Sequence, residues 1–220
     1  MDVTPEQIDA GHAVYTKRFL RIYDVLVLQF LTRFAYRTPS SRILEHYDAH
    51  VSANHLDIAV GTGFFLERCT FPSDSPRLAV MDINPNSLEV ARPRLARYKP
   101  EVYRANVLGP IEIDAAKFDS AGMNYLLHCL PGDIRSKAVV FEHVKPLLKP
   151  GGVIFGATML FGGVHVTPWA RSLMNRLNKR GVMTNKQDDL DGLRWALSQH
   201  LSDATVEVVG TAALFSGRVR

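Results

Sequence analysis

Leu56-Asp57-Ile58-Ala59-Val60-Gly61-Thr62-Gly63 decides how this chain folds. Residues 55–60 form a short apolar run with one acid inside it, which reads as a strand. The run ends in a glycine turn, and a helix-like stretch follows to about Cys69. A tight glycine turn after a strand lets the backbone approach a ligand closely and aims the next helix's amides at it. A second strand is read over residues 77–82, with Asp82 at its end, nineteen residues beyond Gly63. That is the usual separation between such a turn and an acid that accepts hydrogen bonds from ribose hydroxyls. The segment therefore reads as a nucleoside-binding crevice.

Outward from this unit the pattern continues as strand and helix in alternation. Asn84-Pro85 starts a helix running to about Tyr98, with Pro93 expected to kink or split it. Residues 103–108 and 118–124 read as the third and fourth strands. Gly132-Asp133 opens a helix ending near Leu148, Lys149-Pro150-Gly151-Gly152 is a turn, and residues 153–158 are a fifth strand. Alternation of this kind implies a parallel sheet with right-handed crossovers. The C-terminus departs from it. After a helix over 188–200, residues 205–209 and 212–219 flank Gly210-Thr211, so the chain ends in an antiparallel hairpin. The first fifty residues are helical. Thr4-Pro5-Glu6-Gln7 is a capping box, a helix covers 17–36, and Thr38 caps a third with Pro39 at its first position and Ile43, Leu44, Tyr47 and Val51 on one face.

Composition sets the outer limits. At 220 residues with 46% hydrophobic and 22% charged side chains, the chain is one domain with enough core to fold unstapled. Two cysteines, Cys69 and Cys129, are too few for a disulfide scaffold and fit a reducing compartment, so a cytoplasmic location is expected. The longest apolar run, residues 25–31, is interrupted by Gln29 and falls far short of the roughly 18 residues a membrane span needs. The N-terminus lacks the basic flank and apolar stretch of a signal peptide. The net charge of +4 comes from scattered residues and gives no nucleic-acid footprint. No metal site is expected.

Two cofactor classes use such a crevice. A nicotinamide or flavin site wants G-x-G-x-x-G. Counting from Gly61 and Gly63, the third glycine would fall on Leu66; counting from position 59, the first is Ala59 and the last Phe64. Neither register works, which favours S-adenosylmethionine (SAM) over a dinucleotide. Residues 56–63 resemble the first motif of the class I SAM-dependent methyltransferases, L-D-x-G-x-G-T-G, in small-molecule enzymes of the methyltransferase type 11 and 12 kind. Asp82 corresponds to that family's acid after the second strand, and Asn106-Val107 to its acid and small apolar residue beside the adenine. Residues 118–124 resemble its fourth strand, residues 147–153 its L-K-P-G-G-x-L turn, and the terminal hairpin its last two strands. The resemblance runs from about Tyr23 to the end. It implies a Rossmann-like α/β fold: a seven-stranded, mostly parallel sheet with a C-terminal antiparallel hairpin strand, helices on both faces and an N-terminal helical cap. Residues 1–52 would be the cap, 53–158 the SAM-binding core, 159–187 the cover of the acceptor pocket, and 188–220 the last helix and hairpin. Two positions depart from the family: Ala59 replaces the first glycine and Asn106 the usual acid.

The resemblance also implies roles. Gly61 and Gly63, with Ala59, make room for the methionine portion. Asp57 orders the loop or reaches the ammonium group through water. Asp82 binds the ribose, Ile83 and Val107 sandwich the adenine, and Asn106 either reads its amino group or serves as a turn residue. Asn124 lies near the sulfonium. Tyr23, with Asp24, resembles a Y-D pair ahead of the first motif and either closes over the methionine end or packs in the core. For catalysis the candidates are His165, after the fifth strand, and His128, after the fourth, each a general base or a packing residue. Tyr15, Tyr125, Phe161 and Trp169 are candidates for the acceptor site, Trp169 either stacking on a planar acceptor or anchoring the next helix.

The place after the fourth strand reads Asn124-Tyr125-Leu126-Leu127, without the proline pair of nucleic-acid amino-methyltransferases. The expected acceptor is therefore a small, apolar or aromatic metabolite of specialised metabolism, methylated by in-line displacement with S-adenosylhomocysteine (SAH) as the other product. A second copy of the chain is an open alternative as a partner. Three other readings stay open: a SAM-binding protein without transfer, a cyclase or rearrangement enzyme using SAM electrostatically, and an NAD-dependent oxidoreductase.

Overall fold

The computed structural model describes residues 16–220. The capping box at Thr4 and the acceptor-site candidate Tyr15 lie outside the described residues. A seven-stranded sheet forms the centre, in the order β3-β2-β1-β4-β5-β7-β6. Strands β1 (Asn54–Ile58), β2 (Arg77–Asp82), β3 (Glu101–Arg104), β4 (Phe118–Asn124) and β5 (Leu148–Met159) are mutually parallel. β7 (Ala212–Val219) inserts antiparallel between β5 and β6 (Leu201–Val209), as the hairpin reading requires.

The strands alternate their burial between two helical layers. On one face, Leu56 and Ile58 of β1 and Ala79 and Met81 of β2 pack under Val140, Phe141 and Leu197. These come from α6 (Val139–Val144) and α8 (Leu190–His200). On the other face, Leu78 and Val80 of β2 meet Tyr47, Leu66 and Leu88. These come from α2 (Ser40–His50), α3 (Phe64–Arg68) and α4 (Pro85–Arg94). The two-residue period of a strand is what sends neighbours to opposite layers. Both cysteines are free thiols. No helix among the described residues is long and apolar enough to cross a membrane.

Several boundaries differ from the sequence reading, each for a local reason. Thr38 does not cap the third helix. Its hydroxyl donates to the carbonyls of Val209 (2.7 Å) and Tyr36 (3.2 Å), and the helix starts at Ser40 behind Pro39. The third strand ends at Arg104, because Asn106 Oδ1 accepts from the Leu108 amide (3.0 Å) and turns the chain. The helix over 132–148 is split into α5 (Ile134–Lys137), capped by Asp133, then α6, then a 3₁₀ turn at Lys145–Leu147 containing Pro146. The turn at 149–152 survives as an excursion inside β5: Leu148 pairs with Phe118, but the next partner of β4, Ser120, is Val153. Pro93 ends α4 one residue later, and a 3₁₀ turn, Ala96–Tyr98, completes the run.

The helix read over 17–36 begins as α1 (Lys17–Tyr23), continues as a π-helical stretch, Asp24–Leu31, and closes with Thr32–Phe34. Such wide turns concentrate at functional sites. Here the Leu28 carbonyl is taken by the hydroxyls of Thr32 (2.5 Å) and Ser40, which compensates for the altered backbone ladder.

Candidate active site

In open sheets of this kind ligands bind beyond the carboxyl ends of the strands where the strand order reverses. That point lies between β1 and β4, and the main cavity opens there. Its floor is the turn after β1. Ala59, Gly61 and Gly63 all take positive φ (60°, 54° and 75°), so the chain curls and presents backbone toward the cavity. A Cβ on Gly63 would press Leu95 and Ala91 at 3.3–3.4 Å, whereas one on Gly61 would meet little but the Ala59 carbonyl at 4.0 Å.

Side chains from β1, β2 and the neighbouring helices hold the rim. The Asp82 carboxylate accepts from the amides of Asn84 (2.8 Å) and Gly61 (3.3 Å), which ties the end of β2 to the glycine turn. Burial pushes its carboxyl up to about 6, against the opposing pull of those amides. Asp57 accepts from the Tyr47 hydroxyl (2.7 Å), and Tyr47 in turn contacts His55 Nε2 at 2.7 Å. Asp24 binds the turn from above: Thr62 Oγ1 donates to it (2.6 Å), and Arg94 bridges it (2.6 Å) and the Thr62 carbonyl (3.1 Å). This bridge brings Leu20, Tyr23 and Leu28 over the cavity.

Tyr23, Asp57, Ala59, Gly61, Gly63, Asp82, Ile83, Asn106, Val107 and Asn124 all line this one cavity. Tyr125 joins them. The structure does not bring four other candidates to its wall. His165 is exposed, and its carbonyl accepts from Thr211 Oγ1 at 3.3 Å. Trp169 is 48% exposed and meets Phe30 edge-on at 6.2 Å. Phe161 lies under the Arg171 guanidinium, 5.1 Å away. His128 is buried behind the wall, where Nδ1 accepts from the Met159 amide (3.2 Å). Burial, aided by the Lys137 charge, pulls it down to about 3, so it is neutral at working pH.

The reason is the path taken after β5. Amides of Leu160, Phe161 and Gly162 bond to Thr211 and Asp188 carbonyls, drawing the segment towards the hairpin instead of the crevice. None of residues 159–187 lines the cavity. The wall comes instead from Phe65 and from Leu126, Cys129, Leu130 and Pro131 after β4. Sequence reasoning passed over those apolar residues, although their place directly after a strand's carboxyl end was the available signal.

A methyltransferase-domain family model matches residues 56–154. Demethylluteothin O-methyltransferase from Streptomyces thioluteus is 44% identical over 195 residues, covering 89% of this chain and 85% of its own length. The chain belongs to the class I SAM-dependent methyltransferases. The physcion biosynthesis cluster O-methyltransferase of Aspergillus chevalieri is 36% identical over 209 residues, covering 94% of each chain. Among solved structures, the N-methyltransferase NodS from Bradyrhizobium japonicum WM9 in complex with SAH superposes with a TM-score of 0.60. It covers 92% of this chain and 97% of its own, and at 16% identity it speaks to the fold alone.

The residues of this methyltransferase fit SAM. The glycine turn is already curled, and the Asp82 carboxylate, which accepts from two backbone amides and the Ser87 hydroxyl, keeps one acceptor place that a ribose hydroxyl could take. Both polar atoms of the Asn124 amide are shielded at the cavity with no hydrogen-bond partner. Buried polar atoms of that kind are rare in folded proteins and commonly mark a missing ligand.

Ala59 departs from the family motif at a position whose φ of 60° favours glycine. A left-handed conformation costs an L-residue about 1–2 kcal/mol, partly offset by the entropy a glycine loses on folding. Ala59→Gly should therefore raise the thermal midpoint by about 2 °C and leave SAM affinity equal or tighter. Differential scanning calorimetry and SAM titration check both; a lower midpoint would contradict the strain reading.

Proposed function

We propose that this methyltransferase transfers the SAM methyl group to an oxygen of a small, mostly apolar acceptor in specialised metabolism, releasing SAH. The observation that carries the cofactor half is the convergence of the glycine turn, Asp82 and the unpartnered Asn124 amide on one cavity. In this reading Asp82 accepts from the ribose, Ile83 and Val107 flank the adenine, and Gly61, Gly63 and Asp57 hold the methionine end. Asn106 spends its carbonyl on the Leu108 amide, which leaves its NH₂ to face the base. The acceptor half is supported by the apolar wall made by Leu28, Phe65, Leu126, Leu130 and Pro131. Two relatives named as O-methyltransferases support the choice of oxygen.

When bound, SAM supplies an electrophilic methyl group on sulfur. The chain's own work is to align the acceptor and keep water out. α1 and its π-helical continuation, fastened by the Asp24–Arg94 bridge, supply Leu20 and Leu28 as a roof over the cavity. In this reading that roof and the Leu126–Pro131 wall cover the acceptor, the task assigned from sequence to residues 159–187.

Titration calorimetry with SAM, SAH and NAD in parallel, followed by a methylation assay over apolar phenols and the matching arylamines, tests the proposal. Micromolar binding of SAM and SAH and none of NAD is expected, with methyl ethers as products. Binding of NAD alone, or SAM binding with only N-methylated products, would overturn it.

A further inference from the structure

The cavity carries one further orphan beside the Asn124 amide. The Tyr125 hydroxyl is shielded and has no hydrogen-bond partner, and beside it in sequence the Asn124 amide offers one donor and one acceptor, both unused. Tyr125 also follows β4 directly, in a left-handed conformation with φ of 60°. A bulky side chain seldom adopts that region, and residues held there cluster at functional sites. The surroundings enforce it. The Tyr125 amide donates to the Ala157 carbonyl (2.7 Å), and its ring is held edge-on to His128 at 5.8 Å and tilted against Phe65 at 6.2 Å. The hydroxyl is thus a donor fixed in place before any acceptor arrives.

We propose that the Tyr125 O–H and the Asn124 amide N–H form a two-donor cradle for an ionised oxygen, so that the acceptor is an acidic hydroxyl, phenolic or enolic, bound as its conjugate base. The inference rests on reading this cavity as the methyl-transfer site. The groups facing Tyr125 fit the assignment. Burial keeps the Tyr125 phenol protonated far above neutrality, so it donates and does not serve as a base. Tyr23 and Tyr36 approach it as further phenols, and burial raises Tyr36 as well. His128 is neutral, with Nδ1 already taken by the Met159 amide. The Cys129 thiol contacts the Tyr125 carbonyl at 3.7 Å. The buried Lys137, which acts on His128, is paired with Asp188. An acceptor hydroxyl bound here therefore releases its proton to solvent as it binds, and the cradle stabilises the oxygen left behind. Hydrogen bonds to the charged form are what lower a group's pKa. The Asn124 carbonyl, the negative end of its dipole, is left for the cationic cofactor. In transfer the acceptor oxygen gains the methyl carbon, the carbon–sulfur bond breaks with its electron pair remaining on sulfur, and no further proton moves.

The test is a spectrophotometric titration of 4-nitrophenol, whose anion is coloured, against the protein saturated with SAH. The wild type should favour the anion about tenfold, lowering the bound phenol's apparent pKa by about one unit. Tyr125→Phe should keep SAH affinity by calorimetry and lose most of that preference. Asn124→Asp, which puts a carboxylate where a donor stood, should reverse it towards the neutral phenol. SAH binding with no anion preference in the wild type, or an unchanged preference in Tyr125→Phe, overturns the cradle alone. Failure of the wild type to bind SAH overturns the site reading and the cradle with it.

Discussion

Lys137→Met should lower the thermal midpoint by about 10 °C. Lys137 and Asp188 are wholly buried, and the Lys137 ammonium donates to Asp188 Oδ2 (2.5 Å) and to the Thr184 carbonyl (3.0 Å). Burial acts against both charges, pulling the ammonium down and pushing the carboxyl up to about 6, while their mutual attraction opposes both shifts. Removing one partner of such a pair costs about 3–5 kcal/mol, because an unpaired charge stays inside, and each kcal/mol is about 2–4 °C in a chain of this size. Asp188 Oδ1 already lacks a partner, so the carboxyl left behind has little to satisfy it and takes up a proton. That gives the deficit a direction in pH. An acid whose folded pKa is raised holds a proton that the unfolded chain has lost. Its cost therefore grows by about 1.4 kcal/mol per pH unit above the ordinary carboxylate value and shrinks as pH falls towards it. Thermal melts of Lys137→Met at two pH values should show the smaller deficit at the lower one. The double variant Lys137→Met/Asp188→Leu should recover most of the loss at both. A single variant melting with the wild type would show that the pair is not needed. The consequence reaches the site, since the Thr184 amide bonds the His128 carbonyl and its hydroxyl the Leu130 carbonyl. The pair thereby pins the wall of the cavity from behind.

That the residues proposed for the cofactor meet in one cavity was legible because their signals are local. The glycine turn, the acid nineteen residues on and the end of β4 are each defined within a few residues, and parallel strand order then stacks their carboxyl ends together. Ala59 carried its own signal, a non-glycine at a place where the chain needs a left-handed turn. The acceptor half depends on contacts distant in sequence. Whether residues 160–167 lean into the crevice or away from it is decided by Asp188 and Thr211, and nothing near His165 announces those partners. The same holds for His128. Its place after β4 suggests a catalytic edge, yet the Met159 amide turns it into a packed acceptor. Tyr125, one residue past the strand, reaches the cavity through a backbone conformation that aromatic residues seldom take and that no periodicity reveals.

Asp82→Ala should weaken SAM binding about a hundredfold. In the proposed site the carboxylate has two tasks, holding the glycine turn and accepting from the ribose. Each oxygen accepts one backbone amide, from Asn84 or Gly61, the Ser87 hydroxyl takes a third place, and one acceptor place remains on a side chain that lines the cavity. A hydrogen bond to a charged group is worth about 1.5–3 kcal/mol, and at the upper value losing one ribose contact is about two decades in affinity. Alanine also orphans the Gly61 amide, so the glycine turn loses its fastening to β2 as it loses the ribose contact. Asp82→Asn separates the effects, because it keeps one oxygen for the backbone but no negative charge. It should fall between alanine and wild type. The pH dependence gives an independent reading. Burial pushes the carboxyl up to about 6, and in the proposed site its ionised form is the better acceptor for a ribose hydroxyl. SAM affinity in the wild type should therefore decline as pH falls through about 6, approaching tenfold per unit below it. In Asp82→Asn, which has nothing to protonate there, the decline should vanish. Calorimetric titrations of the three proteins between pH 5 and pH 8, in roughly unit steps, decide the matter. Equal SAM affinity in wild type and Asp82→Ala, or the same acid decline in Asp82→Asn, would remove Asp82 from the cofactor site.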